Sequence, residues 1–495
     1  MKKIISAAQT RATDSFTITK EGISSIDLME RASKRFVERF LELYPAVSSV
    51  CVFAGIGNNG GDGLAIARLL QRNGVDAQAY LLKYADSLSA DCKSNFDRLD
   101  NCVVLKEGDH TGVNCELIID AIFGSGLNRP VEGWLADLFD DINRSDVPVV
   151  SVDVPSGLFA DSSGHGAVIQ ADDTITFQRP KRSFFVPETG RFTGNWHCVD
   201  IGLNEGFIEG QKSDFYLIEP SDVGLPKREK FSHKGNFGKV QLLAGSYGKM
   251  GAAIICAKAI MRSGAGLLTV HVPREGYTAM QVSVPEAMVT VDEGAEFISN
   301  PVVQSGASAI CIGPGLGVHE STIQGLLQFL RSVEKPLVLD ADALNILAQN
   351  PLLLKELPSK TVLTPHVGEF HRLFGECKDG FERLERAQQA AKKYDLVIVL
   401  KGAHTAVVDS ERVVFNNTGN AGMATGGSGD VLAGIITALL GQGMAASEAA
   451  LSGVYLHGLA GDYATKKVGE VSLMASDLLE SLPYSIDNVR KKKII

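Results

Sequence analysis

The stretch Ser49-Val50-Cys51-Val52-Phe53-Ala54, followed by Gly55-Ile56-Gly57-Asn58-Asn59-Gly60-Gly61-Asp62-Gly63 and Leu64-Ala65-Ile66-Ala67-Arg68-Leu69-Leu70, decides how the chain begins to fold. Its first six residues have the apolar, partly β-branched character of a buried strand, and its last seven read as the start of a helix. The glycine-rich turn between them joins strand to helix, and a sheet assembled from such units is parallel and covered by helices. The turn also gathers Asn58, Asn59 and Asp62 at a helix N-terminus, where free N–H groups suit phosphate and side-chain oxygens suit a sugar or a cation. A plain glycine-rich turn without a ligand is the competing reading.

Outward from this unit the alternation continues. Strand-like runs at 77–82, 116–122, 147–152 and 174–177 are separated by helical patterns, and upstream Ile23, Ile26, Leu28, Met29, Ala32 and Phe36 are spaced for a helix packed on the sheet. Between about 205 and 236 the pattern lapses into Gly, Pro, Ser and mixed charge, including Glu219-Pro220-Ser221 and Leu225-Pro226-Lys227-Arg228, which puts a domain junction near 225. Runs at 240–244, 266–272, 309–312, 337–339, 361–363 and 396–400 then announce a second, larger α/β domain. The expected organisation is 1–225 and 226–495, without short tandem repeats or low-complexity tracts.

Composition narrows the classes. A chain of 495 residues exceeds one core, and 45% hydrophobic with 21% charged residues excludes extended disorder and coiled coil. Lys plus Arg number 48 against 58 acids, a net charge of −10, so no nucleic-acid partner is expected and any phosphate must be captured locally. The eight cysteines include no Cys-x-x-Cys pair, and several lie in apolar runs, which favours buried reduced thiols over zinc or disulfides. Lys2-Lys3-Ile4-Ile5 imitates the start of a signal peptide, but Gln9, Thr10 and Arg11 interrupt it. The longest uncharged apolar stretch, 431–447, is broken by Gly434, Gly441, Gln442 and Gly443 and falls short of a membrane span. It reads as a buried core helix in a cytoplasmic protein with no membrane partner.

Gly55, Gly57 and Gly60 satisfy the Rossmann fingerprint, yet the next strand ends in Leu82-Lys83, so the acid that usually holds a ribose is missing. Two other strand ends carry unusual chemistry: Asp120-Ala121-Ile122-Phe123-Gly124-Ser125-Gly126-Leu127-Asn128-Arg129-Pro130 and Ser151-Val152-Asp153-Val154-Pro155-Ser156-Gly157. In an open α/β sheet the carboxyl ends of the strands converge on one crevice, where Asn59, Asp120, Asp153 and Ser156 can meet. Their oxygens are hard ligands for an alkali or alkaline-earth cation, while Arg129 and the amides of 124–126 suit a phosphate. Singly, each aspartate reads as a cap or turn residue; jointly they point to a site.

The second half holds Asn420-Ala421-Gly422-Met423-Ala424-Thr425-Gly426-Gly427-Ser428-Gly429-Asp430, running at once into Val431-Leu432-Ala433-Gly434-Ile435-Ile436. Glycines let backbone amides approach transferring phosphate oxygens, and the helix N-terminus adds favourable partial charge. Asp430, in the first turn, is placed to take a hydroxyl proton in phosphoryl transfer; an aspartate merely capping its helix is the alternative. Leu400-Lys401-Gly402-Ala403-His404-Thr405 follows a buried strand, as a nucleotide-contacting segment would, and no Walker A run occurs. Asp340 and Asp342 alternate onto one side of a strand end and could attract magnesium or cap the next helix. His366, beside a proline, reads alone as a turn residue.

The segments around 55–63, 120–130 and 151–157, with Leu28-Met29-Glu30-Arg31-Ala32 upstream, resemble the N-terminal domain of the bifunctional NAD(P)H-hydrate repair enzymes, an epimerase of hydrated NAD(P)H. The resemblance implies that Asn58, Asn59, Gly60, Gly61 and Asp62, with Gly124, Ser125, Gly126, Leu127, Asn128, Arg129, Pro130 and Asp153, hold the hydrated dinucleotide. It further implies that Asn59, Asp120 and Ser156 ligate potassium and that Lys181 lies near the substrate. The 420–430 pattern resembles the anion hole and catalytic aspartate of ribokinase-like kinases. Phe231-Ser232-His233-Lys234-Gly235-Asn236-Phe237-Gly238, Gly251-Ala252-Ala253, Gly313-Pro314-Gly315-Leu316-Gly317, Leu339-Asp340-Ala341-Asp342-Ala343-Leu344-Asn345 and Leu363-Thr364-Pro365-His366-Val367-Gly368-Glu369 resemble, in that order, the dehydratase domain of the same family. By this resemblance Ala252, Gly317, His366 and Asp430 contact the hydrate, while Lys401, Gly402, Ala403, His404 and Thr405 with Gly429 contact the adenine nucleotide, ADP being the usual phosphoryl donor in bacterial fusions.

The expected fold is therefore α/β throughout, an N-terminal Rossmann-like three-layer domain followed by a ribokinase-like α/β domain. The expected activity has two steps. The first domain interconverts the R and S hydrates with Asp153 shuttling a proton, and the second phosphorylates the S hydrate so that phosphate departs and NADH or NADPH returns. Potassium, magnesium and a homo-oligomeric assembly accompany this expectation. On residues alone, a ribokinase-like kinase of a vitamin precursor, or a non-catalytic dinucleotide-binding scaffold in the N-terminal half, remain alternatives.

Overall fold

The turn at Gly55–Gly57 does join strand to helix. The computed structural model describes residues 1–109, 114–164 and 166–492. The chain forms two units, one of residues 3–213 with 379–381, the other of 1–2, 214–378 and 382–495. The changeover falls at 213–214 and not near 225, because Phe215–Leu217 is already a strand of the second sheet, paired parallel with Val413–Phe415.

The first unit is built on seven strands: β1 Ser49–Ala54, β2 Asp76–Leu82, β3 Cys102–Leu105, β4 Leu117–Ala121, β5 Val149–Val152, β6 Asp173–Phe177 and β7 Asn195–Val199. Their spatial order is β3-β2-β1-β4-β5-β6-β7 and every pair is parallel. The chain leaves β1 toward β2 and β3 on one side and returns to β4 on the other, so a crevice opens beyond the carboxyl ends of β1 and β4. Helix α2, Ser25–Leu43, buries Leu28, Met29, Ala32 and Phe36 as their spacing predicts, and α3, Asn58–Arg72, is buried from Gly63 to Leu70. Helix α1, Ala7–Glu21, has no apolar stripe to announce it. Its buried positions are Ala7, Thr13 and Thr17.

The second unit carries β8 Phe215–Leu217, β9 Lys239–Leu243, β10 Leu267–Val272, β11 Met288–Val291, β12 Ala309–Ile312, β13 Leu337–Leu339, β14 Val362–Leu363, β15 Val397–Leu400, β16 Ala406–Val408 and β17 Val413–Phe415. They lie in the order β8-β17-β16-β15-β14-β13-β12-β9-β10-β11, antiparallel only where β16 meets β15 and β17. The stretch from 431 forms the core of helix α7, Ser428–Gly441, buried continuously from Val431 to Gly441. A Cβ on Gly434 would stand 2.6 Å from both Ala259 Cβ and Cys256 O of helix α4, Met250–Arg262, so the glycine permits the close crossing that makes this helix a core element. Among the described residues no helix is long and apolar enough to cross a membrane. Among the described residues no disulfide joins any of the cysteines, and Cys198 is exposed.

Candidate active sites

In the first unit Asp120, at the end of β4, is wholly buried. Its carboxylate accepts hydrogen bonds from Ser156 N (2.8 Å), Ser156 Oγ (2.5 Å) and Ser151 Oγ (2.8 Å). Burial nevertheless pushes it above the ordinary carboxylate range. Ser156 Oγ accepts from Phe123 N at 2.8 Å and lies 3.2 Å from Phe123 O. Asn59 packs against Gly124, whose Cβ would stand 3.1 Å from it, and Asn59 Nδ2 is buried without a partner. Asp120 and Ser156 are thus in direct contact, with Asn59 beside the adjoining turn.

Asp153 follows β5 in the left-handed region, φ 63°, a conformation a non-glycine residue adopts only when its surroundings enforce it. Its Oδ1 accepts from Lys181 Nζ at 2.7 Å, Thr176 Oγ1 at 3.1 Å and Phe177 N at 3.1 Å, and Lys181 is buried. Burial, reinforced by the charge of Asp153, pushes Asp62 of α3 well up, and the same two causes raise Asp14 of α1 to about 6. Asp14 carries no sequence signal, because its helix has no apolar periodicity.

The turn between β1 and α3 is built on glycine. The N-cap of α3, Gly57, makes no side-chain capping bond, which leaves the first-turn amides at Asn58–Gly60 free for an anion. A Cβ on Gly60 would come 1.7 Å from Gly55 O, so only glycine closes this turn. Met29, from the Leu28–Ala32 motif, supports it from below, its Sδ 2.9 Å from where a Gly61 Cβ would lie. The 124–130 loop turns through a Leu127 N to Gly124 O bond of 3.2 Å and leaves Asn128, Arg129 and Pro130 exposed.

In the second unit α7 begins at Gly427, φ 89°, with no side chain capping it. Asp430, one turn in, is raised to about 7 by burial and the nearby Asp340, against the pull of Lys401. Lys401 Nζ donates to Asp340 Oδ1 at 2.8 Å, lies 3.6 Å from Glu369 Oε2, and stands 3.5 Å from where a Gly429 Cβ would be. A cleft of about 820 Å³ opens beside this centre, lined by 401–405, Thr425, Gly429 and His457 among others. His457 Nε2 lies 3.2 Å from Ser428 Oγ, and burial holds the imidazole down to about 4, hence neutral.

Asp340 and Asp342 do not act as a pair. Ala341 between them has φ 48°, so strand alternation ends there, and the two carboxylates diverge. Asp340 binds Lys401, whereas Asp342 Oδ2 accepts from Gly317 N at 2.8 Å and lies 3.3 Å from Lys249 Nζ. Asp340 makes no side-chain cap to helix α5, Ala341–Gln349. Ala252, half-buried, packs against Gly315, while Ala253 is buried in the core. His366 caps helix α6, Val367–Phe374, through Nδ1 to Gly368 N (3.0 Å) and Glu369 N (3.2 Å), yet remains 54% exposed at the wall of the cleft. Glu369 and His457 are further members of this centre that sequence reading did not select.

Comparison with known proteins agrees with both halves. Residues 25–183 match a family described as YjeF-related protein N-terminus, and residues 240–484 match one described as NAD(P)H-hydrate dehydratase. The chain is 37% identical to the bifunctional NAD(P)H-hydrate repair enzyme Nnr of Moorella thermoacetica, over 99% of this chain and 97% of that protein. It is 34% identical to the Escherichia coli protein of the same description, over 93% and 89%. Among solved structures, the ADP/ATP-dependent NAD(P)H-hydrate dehydratase from Bacillus subtilis, crystallised with ATP and Mg2+, is 31% identical with a TM-score of 0.50. The match covers 55% of this chain and 98% of that one.

Proposed function

The chain belongs to the bifunctional NAD(P)H-hydrate repair enzymes, which epimerise and dehydrate hydrated NAD(P)H, and from that premise we propose which of its residues do so. In the first unit the free amides at Asn58–Gly60 and the Gly124–Pro130 loop take the dinucleotide, with Asp62 and Asp153 facing the damaged ring. The hydrated carbon is a carbinolamine, whose hydroxyl departs when the ring nitrogen shares its electron pair, and water can return to either face. Asp153, oriented by Lys181, Thr176 and Phe177 N, shuttles the proton, a role worth about 10²- to 10⁴-fold.

In the second unit the adenine nucleotide occupies the cleft along Lys401–Thr405 and Gly429, and the hydrate lies along Ala252, Gly317 and His366, reaching Asp430. Hydroxide is a poor leaving group. Asp430 accepts the hydroxyl proton as the oxygen attacks the terminal phosphorus of ADP, AMP leaves, and the ring nitrogen's electron pair then expels phosphate. Loss of a proton from the neighbouring ring carbon completes the double bond. The amides at the start of α7 and the Lys401 ammonium stabilise charge on the transferring group, the kind of interaction whose loss costs about 10²- to 10³-fold in rate.

Two ions fit these residues. Asp120, Ser156 and the adjoining Phe123 carbonyl form an oxygen cluster whose buried carboxylate has no countercharge among the described residues, and Asn59, its Nδ2 unpartnered, stands at the adjoining turn where its amide oxygen would complete the set. That donor set suits potassium, which would supply fixed positive charge beside the dinucleotide. Among the described residues no three His, Cys, Asp or Glu side chains converge as a metal cage, so magnesium would be held mainly by nucleotide phosphates, with Asp340 or Glu369 as the protein oxygens, and would offset phosphate charge.

The observation that carries this reading is the uncapped glycine start of α7 on the wall of a nucleotide-sized cleft, with Lys401 against Gly429 and with Asp430, raised by burial to about 7, in the same first turn. Incubating the chain with hydrate and ADP or ATP, while following near-ultraviolet absorbance and free phosphate together, tests it. Restored dihydronicotinamide absorbance with stoichiometric phosphate is expected. A stable phosphorylated alcohol without that absorbance would mean a plain kinase.

A further inference from the structure

Helix α1 reaches the 124–130 loop of the first-unit crevice through Arg11. Its start is held by Ala7 N to Asp161 Oδ2 at 2.8 Å, its middle by Asn204 N to Thr17 Oγ1 at 3.0 Å and by Phe16 stacked on Phe207 with ring centroids 4.3 Å apart. Residues 7, 11, 14 and 18 share one face of such a helix. Along it Arg11 Nη1 comes to 3.7 Å from where a Gly126 Cβ would lie, and Asp14 comes within electrostatic range of Asp153, Lys181 and Asp62. From this placement, and resting on the epimerase reading above, we infer that Asp14 is the second proton-transfer residue of the epimerase, working as the partner of Asp153.

The chemistry asks for two such groups. When the hydroxyl leaves one ring face and water enters the other, a proton must be given on the first face and taken on the second. Asp153 is ion-paired to Lys181 and held by two further donors, which suits the taking role. Asp62, in α3, is pushed well above the ordinary carboxylate range by burial. Asp14, partly exposed and titrating near 6 among Arg11, Lys181, Asp153 and Asp62, can both give a proton and recover it from solvent. In one direction the Asp14 carboxyl proton passes to the hydroxyl oxygen, the C–O bond breaks, and the ring nitrogen's pair forms C=N. Water then adds to the opposite face, its proton passes to Asp153, and the pair returns to nitrogen. The other direction reverses every step, and exchange with solvent moves the proton back.

The test follows exchange of the R and S hydrates in the full chain between pH 5 and 8, for wild type, Asp14→Asn and Asp14→Glu, with thermal midpoints recorded for each. Wild type should show kcat/KM falling as pH rises above about 6, where Asp14 loses its proton. Asp14→Asn should lower exchange by about 10²-fold or more and abolish that limb, while Asp14→Glu should keep exchange within about tenfold and retain a shifted limb. Exchange in Asp14→Asn within about threefold of wild type, or slowed exchange with an unaltered limb, overturns the inference. If Asp14→Asn does not fold, an unmoved limb in Asp14→Glu overturns it alone. Failure of wild type itself to exchange the hydrates would instead remove the epimerase reading beneath it.

Discussion

Lys181 Nζ lies 2.7 Å from Asp153 Oδ1, and the ammonium is almost fully buried, so this lysine is the countercharge for the crevice's acids. Removing one member of a buried pair strands the other and costs about 3–5 kcal/mol. Lys181→Met should therefore lower the unfolding midpoint of the first unit and abolish hydrate exchange. Adding Asp153→Leu to Lys181→Met should recover much of the stability and none of the exchange, as read by denaturant unfolding beside the exchange assay.

In the proposed role Asp430, raised by burial to about 7, must be ionised to accept the hydroxyl proton, so dehydration should rise with pH through about 7 and then level off. The same burial sets a stability consequence of opposite sign. A carboxyl raised in the folded state contributes stability at low pH that disappears as pH climbs from its unfolded value near 3.8 through 7. Asp430→Asn should lose about 10²- to 10⁴-fold in dehydration, and the rise it brings in melting temperature should be largest at pH 8, smaller at pH 5 and absent below the unfolded value near 3.8.

Two glycine substitutions separate space for a ligand from space for the fold. A Cβ on Gly429 meets only Lys401 Nζ at 3.5 Å and Asp340 Oδ2 at 3.8 Å, ordinary contacts, so Gly429→Ala should fold normally and raise the KM for nucleotide by intruding where phosphate approaches the backbone. A Cβ on Gly60 meets backbone at 1.7 Å, so Gly60→Ala should unfold the first unit. Circular dichroism melts with kinetics for each variant distinguish the two outcomes.

His457 is buried neutral beside Ser428, its imidazole held down to about 4 against an ordinary 6.5. A histidine depressed in the folded state contributes stability above its unfolded value that is lost as pH falls through the folded one. The second unit should therefore weaken between pH 6.5 and 4, and His457→Gln should flatten that decline in unfolding titrations followed against pH.

Much of the fold was legible because buried parallel strands are continuous apolar runs: β1, β4, β5, β9, β12 and β15 were read from composition alone. The edge strand β3, with Val103 and Val104 exposed, and the short antiparallel pair β16 and β17 were not. The strand-end motifs placed Asn59, Asp120, Asp153 and Asp430 beside glycine turns, and the glycine density that marked those turns is a local property of the sequence.

What the amino-acid order determined by itself is this local chemistry: which strand ends, which helix starts and which acids lie at them. Only the folded chain decided the distances between motifs far apart in sequence. Lys181 is 28 residues from Asp153, and Lys401 is 61 from Asp340. It also split Asp340 from Asp342 through a left-handed Ala341, and brought Asp14 to the crevice from a helix that buries threonines instead of an apolar stripe. Such electrostatic partners carry no periodicity, so no pattern along the chain reveals them until packing sets their separation.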